Sequence, residues 1–319
     1  MTEPSVCILI PVYNAGEYLR PSVQSILSQT YSNLEILIID DGSTDGCMDS
    51  IADLDDRRIR LITQKNGGRA KALNAGLEEL SSDFYATHDA DDISHQRRIE
   101  LQVQCMLENP QVAAIFTGCD LILNGRPVAP RIAAKNADQC REDIENMRMP
   151  AHDPTGMWRV SMVRDFQYEP TLKVGAGFDY ILRVGELYPL IVLGDCLYSY
   201  RVHFDSITRR DWALRKQMVQ EVLRRACERR GLELFEQRVI ETPPEKTMVY
   251  RELEMGIVSH FMESVLDLRR LGRHFQALRT ALDCLRLHPS DPYYYKPLAY
   301  FMAPLELIKY YRSIKAKVR

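Results

Sequence analysis

Several familiar chemistries are missing from this chain. Its eight cysteines, at 7, 47, 105, 119, 140, 196, 227 and 284, never form a Cys-x-x-Cys pair. That argues against a zinc site or a dithiol redox centre. No G-x-G-x-x-G follows the first apolar run, so a nicotinamide-dependent dehydrogenase is disfavoured. No stretch reaches the roughly 18 uninterrupted apolar residues of a membrane span. No basic and apolar export signal opens the chain, so reduced thiols and a cytoplasmic location are expected. What remains is ordinary globular composition: 319 residues, 45% hydrophobic and 27% charged. The net charge of −3 hides an asymmetry. Residues 1–205 hold 19 Lys and Arg against 30 Asp and Glu; residues 206–319 hold 22 against 14. An acidic front and a basic rear point to two functional units, 1–208 and a mostly helical 209–319.

Val6-Cys7-Ile8-Leu9-Ile10 is continuously apolar and stops at Pro11. It reads as a strand buried on both faces of a parallel sheet. Leu19, Val23, Ile26 and Leu27 follow with helical spacing. Leu34 to Ile39, Ile59 to Ile62, Phe84 to Thr87 and Val112 to Phe116 read as further strands. Amphipathic helices lie between them, at Ala70 to Leu80 and Ile99 to Leu107. This alternation predicts an α/β fold with a Rossmann-like, mostly parallel sheet flanked by helices. Beyond Phe116 it breaks. Asn124-Gly125 reads as a hairpin turn, residues 130–150 are polar and weakly patterned, and the chain from Trp212 onward is mostly helical.

Polar clusters sit at the carboxyl ends of four strands: Pro11-Val12-Tyr13-Asn14, Asp40-Asp41-Gly42-Ser43, Asn66-Gly67-Gly68 and Asp89-Ala90-Asp91-Asp92. Ligands of open α/β sheets bind along that edge. The last cluster is the most informative. Three carboxylates in four positions repel one another unless a cation balances them. Hard cations such as Mg²⁺ or Mn²⁺ take carboxylate oxygens and keep positions open for phosphate. A helix start capped by Asp92 is the bland alternative.

In order and spacing these motifs resemble those of family 2 glycosyltransferases, strongly over residues 5–120 and more loosely over 150–208. The resemblance implies a GT-A fold, a nucleotide-sugar donor (a UDP-sugar foremost) and inverting transfer to a hydroxyl of a carbohydrate or lipid-linked glycan, in cell-surface glycan or polysaccharide synthesis. Asp41 would accept a hydrogen bond from the uracil N3–H, although Asp-Gly also makes Asx turns. Pro11 and Tyr13 would line the base pocket or simply pack the strand end. Arg69 and, less specifically, Lys71 would meet the nucleotide; both also suit a solvated helix face. Asn74 would touch a sugar hydroxyl. Asp89 would contact the ribose or a metal-bound water, Asp91 would ligate Mn²⁺ or Mg²⁺, and Asp92 would shape the donor-sugar site.

The family's later helix usually begins Glu-Asp, and that Asp removes the acceptor proton. In Gly175-Ala176-Gly177-Phe178-Asp179, Phe178 takes the Glu position and Asp179 is the expected base; a helix-start carboxylate is the alternative. Tyr198-Ser199-Tyr200-Arg201-Val202-His203 resembles the closing motif, with His203 as a metal ligand. His152, in His152-Asp153-Pro154, would meet the acceptor or a phosphate. The aromatic and basic C-terminal stretch, Tyr293 to Arg319, suits peripheral contact with an anionic membrane as well as a solvated helix end. No nucleic-acid motif accompanies its charge. A catalytically impaired binding module and a sugar-nucleotide pyrophosphorylase are the rivals. The latter needs a glycine-rich basic loop after the first strand, which Pro11 to Asn14 does not supply.

Overall fold

The first apolar run forms β1 (Val6–Val12), at the centre of a parallel block with β2 (Leu34–Asp40), β3 (Ile59–Thr63) and β4 (Phe84–Thr87). The structure is a computed structural model that describes residues 3–123, 125–202, 212–232, 246–308, 310 and 311, with side chains at 212–213 and 246–256 left aside. Strand periodicity explains why β1 is apolar throughout. Cys7 and Leu9 join one hydrophobic cluster, while Val6, Ile8, Ile10 and Val12 join the other on the opposite face. Each such side chain contributes about 1.5–3 kcal/mol when fully buried.

Helix α1 (Leu19–Leu27) buries Leu19, Val23 and Ile26 in that second cluster, joined by Ile99, Val103 and Met106 of α3 (Arg98–Glu108). Helix α2 (Arg69–Glu78) covers the other face with Ala70, Ala72 and Leu73. The expected fifth strand begins at Ala114 and runs on to Leu123 as β6. It does not pair with β4. Between β5 (Ile93–Ser94) and the chain's later strands the sheet becomes mixed, because β8 (Met157–Arg159) takes the free edge of β4 in antiparallel fashion and β6 pairs beyond it. The strand β9 (Leu190–Arg201) lies parallel to β6, and β5 pairs antiparallel with β9. The order is β3-β2-β1-β4-β8-β6-β9-β5.

The stretch 130–150, weakly patterned in sequence, contains α4 (Ala137–Glu145), started by a reciprocal capping box between Asn136 and Gln139. After it come the single turn α5 (Val160–Val163) and α6 (Ala176–Gly185), whose Tyr180, Ile181, Leu182 and Val184 are buried.

By internal contacts the chain forms two compact units, Met1–Ile122 with Ala133–Val239, and Leu123–Ile132 with Ile240–Arg319. Helix Trp212–Arg230, beyond the boundary expected at 208, belongs with the first, where Val222 and Ala226 are buried. In the second, β7 (Arg126–Val128) precedes a segment fixed to helix Lys246–Arg270. Ser264 Oγ donates to the Pro130 carbonyl at 2.6 Å, and Arg131 Nε meets the buried Asp267 at 2.8 Å. Gly272, in the left-handed region (φ 71°), turns the chain into helix His274–Leu287, as the Leu271-Gly272 break predicts. The aromatic stretch is not one helix. Helix Lys296–Met302 is followed by Pro304, and residues 312–319, with their basic side chains, lie outside the described residues.

Candidate active site

The ends of β1 and β2 are laced together. Asn14, held at φ 51°, accepts from Thr44 N at 2.8 Å through Oδ1, while Asp41 N donates to the Val12 carbonyl at 2.8 Å. Tyr13 is 46% exposed beside the half-buried Pro11, which leaves a ring face open at the strand end. Asp41 itself turns inward. One carboxylate oxygen accepts from Gln64 Nε2 at 2.7 Å and Gly67 N at 2.8 Å; the other accepts from Gly68 N at 2.8 Å. Three of about four acceptor positions are filled. Asp41 therefore braces the loop that starts α2, and a side chain at Gly42 (φ 77°) would press on that loop at Asn66 N and Gln64 O. Lys71 lies folded over Gly67.

Arg69 is the first residue of α2 and the link to the acidic turn. Its Nε donates to Asp89 at 2.9 Å and its Nη1 to Asp153 at 2.8 Å. Burial lowers the guanidinium's affinity for its proton, but Asp89 and Asp153 more than offset this and leave its pKa raised. Burial pushes Asp89 up, opposed by Arg69 and reinforced by Asp91 and Asp153. Asp92 is fully buried and faces the other way: Oδ1 accepts from Arg201 N at 2.7 Å, and Oδ2 has no hydrogen-bond partner among the described residues. Burial, then Asp91 and Asp89, hold its carboxyl well above the usual range. Arg201 Nε also donates to the Asp91 carbonyl at 2.8 Å. The closing Tyr-Arg motif thus fixes the acidic turn through its arginine.

Behind this turn stands a buried cation that the sequence reading passed over. Arg98 donates to the carbonyls of Thr87 at 2.9 Å and Pro154 at 2.8 Å, to Ser94 Oγ at 3.0 Å and to Gln102 Oε1 at 3.2 Å. Its guanidinium lies 4.9 Å from the Tyr198 ring centre. Burial pushes it down to about 10. His88 is wedged between Ser22 Oγ at 2.9 Å and Ser94 Oγ at 3.2 Å, and burial with Arg98 nearby drives its pKa well below the ordinary value. His152 sits edge-on to Tyr200 at 5.0 Å, and its Nε2 is buried without a hydrogen-bond partner among the described residues. Burial, with Arg69 adding and Asp153 opposing, pushes it down to about 4.

Arg69, Asp89, Asp91, Asp92 and His152 are thereby brought together. Two expected residues are not. Asn74 spends its amide on Tyr168, donating to the carbonyl at 2.8 Å and accepting from the amide N at 2.7 Å. Asp179 is 2% exposed and lies between Arg183 Nε at 2.7 Å and Arg229 Nη1 at 3.4 Å. One oxygen pairs with Arg183 one turn along α6 and the other with Arg229 of helix Trp212–Arg230, so both are taken up by arginines. His203 lies outside the described residues. The described residues contain no group of three or more metal-ligating side chains. With Asp89 spent on Arg69 and Asp92 turned inward, they do not by themselves complete a metal site.

The profile of Glycosyl transferase family 2 matches residues 7–156, the segment that carries the ends of β1 to β4 and the acidic turn. The chain belongs to glycosyltransferase family 2. An uncharacterized glycosyltransferase of Haemophilus influenzae is 30% identical over 213 residues, 63% of this chain and 66% of that protein. The Escherichia coli UDP-Glc:alpha-D-GlcNAc-diphosphoundecaprenol beta-1,3-glucosyltransferase WfgD is 35% identical over 136 residues, 41% of this chain and 53% of that protein. The chain thus spans between half and two thirds of the length of these relatives. Among solved structures, S. aureus TarS 1-349 in complex with UDP-GlcNAc has a TM-score of 0.60 at 15% identity, covering 93% of this chain and 88% of that one. The mannosyltransferase PcManGT from Pyrobaculum calidifontis, in complex with GDP-Man and Mn²⁺, has a TM-score of 0.56 at 18% identity, covering 94% and 86%. The family 2 chain therefore has the GT-A fold, with a mixed sheet and a helical C-terminal region.

Proposed function

We propose that this chain transfers a sugar from a nucleotide-sugar, foremost a UDP-sugar, to an acceptor hydroxyl with inversion at the anomeric carbon. One observation carries the reading: Arg69 bridges Asp89 and Asp153 at the rim where four motif-bearing strand ends meet. Arg69 faces the diphosphate from its bridge between the two carboxylates, on the loop that Asp41 braces. Tyr13 offers its exposed ring to the base. A divalent cation, Mn²⁺ or Mg²⁺, belongs to this reading with Asp91 and His203 as the ligands that the chain offers; when bound it neutralises the leaving diphosphate. Acceptor chemistry follows WfgD, whose name specifies a diphosphoundecaprenol-linked sugar, so a lipid-linked glycan is the acceptor class in view. Such an acceptor gives a reason for the basic C-terminal stretch to rest on a membrane. No described helix is long and apolar enough to cross one.

The test is release of nucleotide from UDP-glucose, UDP-GlcNAc and GDP-mannose, with and without Mn²⁺ and a diphospholipid-linked sugar. Release from none of them sinks the proposal. One observation favours a second reading, a binding module without turnover: Asp179 is occupied by Arg183 and Arg229. Nucleotide binding without transfer would establish that reading.

A further inference from the structure

If the chain is a transferase, its acceptor hydroxyl must lose a proton, and Asp179 is badly placed to take it. In an α-helix each residue turns by about 100°, so residues 177 and 179 face nearly opposite directions. The face of α6 that looks toward Arg69 carries Gly177, not Asp179. The space above Gly177 is filled from elsewhere. A Cβ at position 177 would fall 2.1 Å from Asp153 Oδ2 and 2.2 Å from its Cγ. The carboxylate of Asp153 thus lies where a side chain of residue 177 would otherwise begin.

We infer that Asp153, delivered from the His152-Asp153-Pro154 turn, is the proton acceptor of this chain in place of a carboxylate on α6. The inference rests on the transfer reading above. Asp153 Oδ2 is held by Arg69 Nη1 at 2.8 Å, and Oδ1 is buried with no hydrogen-bond partner among the described residues. The carboxylate faces the first turn of α6, which has no side-chain cap of its own, and an anion is favoured at such a helix start. One guanidinium holds Asp153 and the Asp89 of the acidic turn, so the acceptor side and the diphosphate side share a rigid link. In the step, the acceptor oxygen bonds to the anomeric carbon as its proton passes to the Asp153 carboxylate, whose side chain is 13% exposed. The bond from that carbon to the phosphate oxygen breaks, and its electron pair leaves with the nucleoside diphosphate. Glycine at 177 is then a requirement, since any larger residue overlaps the carboxylate.

The experiment uses the full chain with a UDP-sugar and a diphospholipid-linked acceptor. Wild type is the control for the transfer reading: if it binds UDP but transfers nothing, the proposed function fails and the inference falls with it. With wild type active, Asp153→Asn is expected to bind UDP within about threefold of wild type while kcat drops at least about 100-fold, the lower range of general-base help. The double variant Asp153→Gly with Gly177→Asp returns a carboxylate to the vacated space from the helix side and is expected to regain at least a tenth of wild-type kcat. Circular dichroism and thermal melting confirm that each variant is folded. Asp153→Asn retaining kcat within tenfold overturns the inference, and so does a loss of UDP affinity as large as the loss of kcat.

Discussion

Asp41→Asn separates two roles that the sequence leaves open. The carboxylate is 2% exposed and accepts three hydrogen bonds, from Gln64 Nε2 and from the amides of Gly67 and Gly68. Hydrogen bonds to a charged group contribute about 1.5–3 kcal/mol each, against about 1 kcal/mol for neutral ones. Asparagine keeps one acceptor oxygen for Gln64 and Gly67, as neutral bonds. Its NH₂ then confronts Gly68 N–H, donor against donor, and stranding that buried amide costs about 1–3 kcal/mol. The substitution should destabilise the protein by about 3–5 kcal/mol, a large part of the roughly 5–15 kcal/mol of a typical domain. Because the loop delivers Arg69, UDP affinity should fall as well. Urea unfolding followed by circular dichroism reads the first effect and calorimetric titration with UDP the second. An unchanged urea midpoint with UDP affinity lost would refute the bracing role and return Asp41 to base recognition alone.

Three further outcomes follow from the same geometry. Arg98→Met removes the donor to the Thr87 and Pro154 carbonyls and should destabilise by about 3–5 kcal/mol, as when one side of a buried charged network is deleted; a melting temperature equal to wild type would contradict it. Acidification should weaken the fold through His152: its pKa is about 4 in the folded chain against about 6.5 unfolded, so the unfolded state binds more protons between those values and stability falls as pH drops through that window, by at most about 3 kcal/mol. His88 acts in the same direction, so His152→Gln should flatten but not abolish the fall in urea midpoint from pH 7.5 to pH 5, and identical falls in both proteins would exclude His152. Chelation with EDTA should abolish transfer and added Mn²⁺ or Mg²⁺ should restore it; full transfer in EDTA removes the proposed cation.

The parallel half of the sheet was legible because β1 and β2 are apolar on both faces, and the site's edge was legible because each strand stops at a polar cluster. The antiparallel half was not. Met157-Trp158-Arg159 is too short to announce itself as a strand, yet it takes the edge of β4 and displaces Val112 to Phe116 from the place that chain order suggests. Helix α4 was missed although Asn136 and Gln139 spell a capping box, since its apolar face is only Cys140 and Ile144. The ion pair of Asp179 was not legible for a geometric reason: a carboxylate in the first turn of a helix says nothing about which face it occupies, and Arg183 one turn later was the available sign of an internal pair. Arg98 and Asp153 had weaker signals. An arginine in a helix start reads as solvated, and an Asp before proline reads as a turn.

The electrostatics of the rim bear on why the proposed cation belongs there. Asp89 and Asp153 share the one guanidinium of Arg69, and Asp91 adds a third carboxylate to the same turn. Two other arginines are already committed: Arg201 donates to the Asp91 carbonyl, and Arg98 donates to backbone carbonyls behind the turn and is sealed from solvent. An arriving diphosphate brings more negative charge to a place where the Arg69 guanidinium already serves two acids. If Arg69 swung to the phosphates, Asp89 and Asp153 would be left facing each other partly buried, a repulsion that raises the cost of keeping both ionised. A divalent cation entering with the nucleotide resolves this, since it neutralises the phosphates and leaves Arg69 on its two carboxylates. Metal and donor should therefore bind with positive cooperativity, each tightening the other by the same factor.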